Sequence, residues 1–169
     1  MLSAELTSIG LVNPKSAENV AAVMRAAGCY GVSSVLYTGK RFDYAKKHAP
    51  AFRQDTKAAR LSIPLLGVNE LIESMPKGAI PVAVELVEDA TPLPAFEHPK
   101  NAFYIFGPED GSLTKSIVSA CQHTVYIPTQ NSMNLAVSVN VVLYDRLAKS
   151  DYPHSNQFIR GIRDVNNNL

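Results

Sequence analysis

The sequence is short of the features that announce most catalytic and membrane classes. Two cysteines occur in its 169 residues, Cys29 and Cys121. They form no Cys-x-x-Cys pair, which disfavours a disulfide framework and suits a reducing, cytoplasmic compartment. No apolar run approaches the ~20 residues of a membrane helix. The stretch "MLSAELTSIG" has neither a basic n-region nor a long apolar core, so neither secretion nor membrane attachment is expected. There is no G-x-x-x-x-G-K-[ST], no G-x-G-x-x-G after a strand and no G-x-S-x-G, which leaves out a P-loop, a dinucleotide fingerprint and a nucleophile elbow. Ser112 and Lys115 fit S-x-x-K, but the companion motifs are missing and chance accounts for the match. His48, His98, His123 and His154 are not paired at metal-ligand spacing, so no metal site is expected.

What is present is an ordinary globular composition, 46% hydrophobic and 18% charged, with enough chain for one core-forming domain. The net charge is only +1, but its distribution is uneven. Between Lys40 and Arg60, the cations Lys40, Arg41, Lys46, Lys47, Arg53, Lys57 and Arg60 face only Asp43 and Asp55, leaving this window at +5 and the rest at −4. A local basic patch on a near-neutral protein fits phosphate-backbone binding, and equally a solvated face whose charges pair elsewhere.

Apolar runs alternate with helical patterns. "LTSIGLV" reads as a strand, followed by a helix in which Val20, Val23, Met24 and Ala27 recur at helical spacing, with Ser16 as N-cap and Gly28 placed to end it. "SSVLYTG", "SIPLLG", "IPVAVELVED", "NAFYIFG" and "HTVYIP" read as further strands, "VNELIESM" and "SLTKSIVSACQ" as short helices, and Asn134 to Ser150 as a final helix. Asn69 is placed near the cap of the first of these short helices. "EDATPLPAFEHPK" reads as a Pro-rich connection. The expected fold is α/β, a mostly parallel sheet with helices on both faces, over residues 1–150, with a polar, aperiodic tail over 151–169.

Three polar clusters each follow a strand: "NPKSAENVAAVMR", "FGPEDGSLT" and "IPTQNSMN". In open α/β sheets, ligands bind at the carboxyl ends of strands, so this shared placement carries more than any one cluster. Read alone, "FGPEDG" is also a good turn leading into acids at a helix start, and Ser132 and Asn134 are also candidate helix caps. Arg25 lies about 120° round the helix from Asn19, beside the apolar stripe.

Taken in order, the three clusters resemble the motifs of the TrmH (SpoU) group of SPOUT-class RNA methyltransferases. The first matches in Asn19, Arg25 and Tyr30-Gly31-Val32, the second in Gly107-x-Glu109-x-Gly111, the third in Ile127-Pro128 and Ser132-x-Asn134 before a long apolar helix. Met133 stands where the family more often has Leu, and the Gln130-Asn131 loop is shorter than in many members. The resemblance implies a C-terminal deep trefoil knot that binds S-adenosylmethionine, a homodimer, and 2′-O-methylation of ribose in tRNA or rRNA. It implies catalytic roles for Arg25, Asn19, Glu109, Ser132 and Asn134. It implies cofactor contacts from Gly107, Pro108, Glu109, Gly111, Ile127, Pro128, Ser132 and Met133, with Glu85 and Leu86 as another wall by position. It makes Arg25, Arg53 and Arg60 the expected RNA contacts, and the run Leu135 to Leu147 is expected both to close the knot and to pack on a partner subunit. Three alternatives stay open: a silent knotted dimer that binds RNA or S-adenosylmethionine, a base-directed methyltransferase, and an unrelated α/β nucleotide-binding module.

Overall fold

A computed structural model describes residues 6–48 and 63–163. Arg53, Lys57 and Arg60 lie outside the described residues. Seven strands form one sheet: β1 (Thr7–Leu11), β2 (Ser34–Tyr37), β3 (Leu65–Gly67), β4 (Ile80–Val84), β5 (Thr91–Pro92), β6 (Ala102–Phe106) and β7 (His123–Tyr126), in the order β3-β2-β1-β6-β4-β7-β5. Every paired neighbour is parallel. Among the described residues the helices are α1 (Ala17–Cys29), α2 (Arg41–His48), α3 (Leu71–Ser74), α4 (Lys115–Ala120), α5 (Leu135–Ala148) and α6 (Asn156–Ile162).

The central strands β1 and β6 are buried along their whole length, as a parallel sheet covered on both faces requires. Side chains alternate between two cores. Ala102, Tyr104 and Phe106 of β6 face a cluster that takes in the apolar sides of α1 and α5. Phe103 and Ile105 face a second cluster with Leu71 of α3, against which residues of α4 pack. Gly10 belongs to this second face. A Cβ there would lie 2.7 Å from the Phe103 ring, so the small residue admits the aromatic.

The α1 stripe is as the spacing predicts: Val20, Val23, Met24 and Ala27 are fully buried, each of the larger ones contributing roughly 1.5–3 kcal/mol. Ser16 caps the helix by accepting from the Asn19 backbone N–H at 3.1 Å. Gly28 does not end it. The helix runs on to Cys29, and Gly31, with φ +67°, takes the left-handed turn that lets the chain enter β2. The cap position of α3 is Glu70, next to Asn69, with no side-chain cap bond.

Two further differences concern short elements. The Pro-rich connection contains the two-residue edge strand β5 and a 3₁₀ turn, Leu93–Ala95, that sinks Leu93 and Phe96 into the core. The expected aperiodic tail contains α6, capped by Ser155 and exposed along its length. Among the described residues, no helix is long and apolar enough to cross a membrane.

The topology places the site. The chain runs β1-β2-β3 outward, crosses to the far side for β4 and β5, then returns to insert β6 between β1 and β4, and β7 between β4 and β5. The direction of travel reverses at the centre of the sheet, and crevices at such points collect ligands. The segments leaving β1, β4, β6 and β7 therefore meet at one edge.

Candidate active site

The segments after β4, β6 and β7, with the start of α5, bound a cleft of about 500 Å³, within the usual range for small-molecule sites. Glu85 and Leu86, at the end of β4, form one wall, and Gly107, Pro108, Glu109, Gly111 and Ser112, after β6, form a second. Tyr126, Ile127 and the run Thr129 to Met133, after β7, form a third, and Leu135 and Ser138 of α5 close it.

A relay of short polar side chains holds these walls together. The Glu109 carboxylate accepts from the backbone N–H of Lys15 at 2.8 Å and of Ser16 at 3.1 Å, and from the Asn19 amide at 3.1 Å. The carbonyl oxygen of Asn19 accepts from the Asn134 amide at 2.9 Å. The carbonyl oxygen of Asn134 in turn accepts from Ala136 and Val137, capping α5. One line of contacts thus ties the segments after β1, β6 and β7. Burial pushes the Glu109 carboxyl up, but its bonds from Asn19, Lys15 and Ser16 outweigh this and hold it below the ordinary carboxylate range.

A second carboxylate braces the same wall from inside. Glu85 accepts from the Leu113 N–H at 2.7 Å and the Leu86 N–H at 3.0 Å. Gly107 sits beside it. A Cβ there would come within 3.3 Å of the Leu113 nitrogen and 3.5 Å of the Glu85 carboxylate, so the glycine lets the loop fold tightly. On the outer side Arg41 donates to both Asp110 oxygens at 2.9 Å and to the Asn13 carbonyl, joining α2 to the segments after β6 and β1.

Of the residues singled out by sequence, Glu85, Leu86, Gly107, Pro108, Glu109, Gly111, Ile127, Ser132 and Met133 line the cleft. Pro128 is not among the lining residues, and Asn19 and Asn134 stand behind the wall. Arg25 is exposed on α1, about 9 Å along the helix from Asn19, and is not on the lining either. Of the two candidate caps, Asn134 is the cap and Ser132 faces the cleft. Sequence reasoning missed Ser112, Tyr126 and Ser138 as site residues. Ser138 is four residues past the cap, hence on the same helix face, and that spacing was its available signal. Among the described residues, no group of His, Cys, Asp or Glu is arranged to hold a metal ion.

The fold agrees with the comparisons. The family model of the SpoU rRNA methylase family matches residues 7–144, and the chain belongs to that family. Solved structures share the fold at low identity. AviRb, a SpoU methyltransferase from Streptomyces viridochromogenes, is 19% identical with a TM-score of 0.72, over 85% of this chain and 61% of that one. The matched region thus spans less than two thirds of that longer protein. A TrmH/SpoU tRNA modifying enzyme from A. aeolicus is 20% identical with a TM-score of 0.71, over 85% of this chain and 75% of that one. A structure reporting on 2-OH methylation of C/U34 on tRNA is 21% identical with a TM-score of 0.72, over 88% and 92%. No curated protein sequence matches the chain.

Proposed function

We propose that this SpoU-family chain methylates a ribose 2′-hydroxyl of tRNA or rRNA, using S-adenosylmethionine, as a homodimer with a C-terminal trefoil knot. The observation that carries this reading is the relay Glu109–Asn19–Asn134. It ties one residue from each of the three family motifs together beside the cleft at the switch point of the sheet. The AviRb structure also exists in complex with AdoMet, and the C/U34 structure concerns 2-OH methylation of tRNA.

The cleft fits such a co-substrate. Leu86, Ile127, Met133 and Leu135 offer apolar surface, while Gly107 and Gly111 keep backbone close to the space and Ser132 and Thr129 offer hydroxyls. S-Adenosylmethionine, when bound, supplies an electrophilic methyl group. The chain's own task is to hold the acceptor hydroxyl in line and to stabilise the oxygen as its proton leaves. Glu109 is poorly suited to take that proton. It is held ionised by three N–H donors, so its lone pairs are committed to position. It therefore acts as a positioning residue, with Asn19 and Asn134.

Arg25 is the candidate for the charge. A guanidinium stays protonated, so its role is to stabilise a developing alkoxide rather than to act as a base. Its position outside its own cleft favours a dimer in which it serves the reacting oxygen near the subunit interface. Val137 and Tyr144, exposed at 48% and 62% and seven residues apart on α5, give that helix a second apolar face for a partner copy. Mass spectrometry of modified nucleosides in RNA from cells with and without the protein tests the reading. The expected result is one 2′-O-methylated nucleoside that disappears. A methylated base instead points to the base-directed alternative, and no change at all removes the enzymatic reading.

A further inference from the structure

Tyr44 is 69% exposed on α2, and the fold does not need it there. The inward side of α2 is supplied by Phe42, fully buried, with Ala45 packed partly behind it. Tyr44 points the other way and is held stiffly. The His48 ring lies against it, centroids 4.4 Å apart and planes at 36°. His48 is itself fixed, because its Nδ1 lies 2.9 Å from the Tyr44 carbonyl. A carbonyl only accepts, so Nδ1 carries the hydrogen and the ring orientation is set. One turn to either side lie the exposed cations Lys40 and Lys47. The acid nearby, Asp43, is engaged by the Tyr37 hydroxyl at 2.7 Å and by Lys46 at 3.2 Å. The result is a pre-oriented aromatic surface with positive charge on both sides.

We infer that Tyr44, backed by His48 and flanked by Lys40 and Lys47, is a stacking platform for an unpaired nucleobase of the RNA. The inference rests on the proposed RNA methylation and adds the site that grips a nucleotide beside the modified one. Location supports it. Arg41, three residues before Tyr44 and about 4.5 Å back along the axis, binds Asp110, which lies between the cleft-lining Glu109 and Gly111, so the platform is docked beside the site. Charge complementarity selects an anionic polymer, and the open aromatic face selects single-stranded over duplex RNA, because every unpaired base offers a π-face.

The test uses full-length protein saturated with S-adenosylmethionine and a fluorescein-labelled 15-mer RNA, single-stranded or annealed to its complement. Tyr44→Ala is expected to weaken single-strand binding about tenfold, leaving the salt slope unchanged and duplex binding within twofold. Lys47→Gln is expected to lower the salt slope by about one, the opposite signature. Tyr44→Trp preserves the platform and places an indole in a chain that has no tryptophan, so its fluorescence should quench as the single strand saturates. An intact melting transition shows that each variant folds. Single-strand affinity of Tyr44→Ala within twofold of wild type, an equal loss on duplex, or an unquenched indole each overturns the platform. Methyl transfer to bulk hypomethylated RNA, measured on wild type in parallel, separates the two readings. Activity with a silent Tyr44 sinks the platform alone, whereas a wild type that neither binds nor methylates RNA sinks both.

Discussion

The two ends of α5 are anchored by polar networks of opposite character. At its N-terminus Asn134 joins Asn19 and Glu109, on a surface that is open to solvent and borders the cleft. At its C-terminus Asp145, Arg146 and Lys149 grip the connection between β5 and β6. There the His98 side chain is 5% exposed, with its Nε2 2.8 Å from Asp145 and its Nδ1 2.6 Å from the Tyr104 hydroxyl. Arg146 donates to the Pro99 and Lys100 carbonyls, and Lys149 to those of Leu93 and Phe96. The first network aligns loops, whereas the second closes a seam. A polar network in contact with solvent contributes modest stability, while a buried one is costly when half-broken. The N-terminal network should therefore matter mainly to function and the C-terminal one mainly to stability.

The largest effect that separates them comes from Asn134. Asn134→Ala removes the cap and the tie to Asn19, and methyl transfer should fall about 100-fold through misplacement of the cleft wall. Stability should fall by only about 1 kcal/mol. Asn134→Ser sharpens the point. Serine still caps, but its hydroxyl is one atom short of the Asn134 amide that reaches Asn19, so the melting temperature should recover while activity does not. Recovery of both would mean that the cap alone matters.

Glu109→Gln comes next. One amide oxygen cannot accept from Lys15, Ser16 and Asn19 together, and the amide NH₂ turns a donor on donors. About a tenfold loss in kcat/KM is expected. Acid titration of stability gives a second readout. The folded carboxyl lies below its ordinary 4.5, so its contribution is complete above that value and is lost as pH falls through the folded pKa. The Gln variant should lack that part of the acid limb, and an unchanged limb would show that Glu109 is not held as described.

Legibility differed along the same division. The strands, the α1 stripe and the Ser16 cap were readable because period and capping are local signals. The cleft was readable in outline because its walls all leave strand ends. The relay was not: Asn19 and Glu109 are 90 residues apart, and nothing local to either announces the other. Gly28 misled because a helix-ending glycine was sought one turn too early, while Gly31 supplies the positive φ. The edge strand β5 has two residues, one of them Pro92, too short for any period to register. The His98 seam was invisible for the same reason as the relay, since Asp145 lies 47 residues on. His98, which the sequence does not pair with another histidine at metal-ligand spacing, makes two hydrogen bonds.

Breaking the seam should leave chemistry alone. His98→Gln strips a partner from the buried Tyr104 hydroxyl or from the partly exposed Asp145, at a cost of roughly 1–3 kcal/mol in denaturant unfolding. Affinity for S-adenosylmethionine, measured by calorimetry, should stay within twofold. A matched loss of affinity would show that the two ends of α5 are one unit, and the contrast between them would collapse.

The smallest effect is the pH dependence of that seam, and its sign follows from the tautomer. Burial favours the neutral imidazole, in which Nε2–H donates to Asp145 and Nδ1 accepts from the Tyr104 hydroxyl, and Arg146 donates to that hydroxyl at 3.2 Å. Burial lowers its pKa below 6.5, with the Arg146 and Lys149 charges adding to that, and the Asp145 carboxylate opposes without prevailing. The unfolded chain takes up a proton near 6.5 while the folded chain still refuses it. Stability is then full above 6.5 and falls as pH drops through the window down to the folded value. His98→Gln should flatten that slope while leaving the more acidic limb of Glu109 in place. A slope that survives the substitution would assign the titration to another histidine.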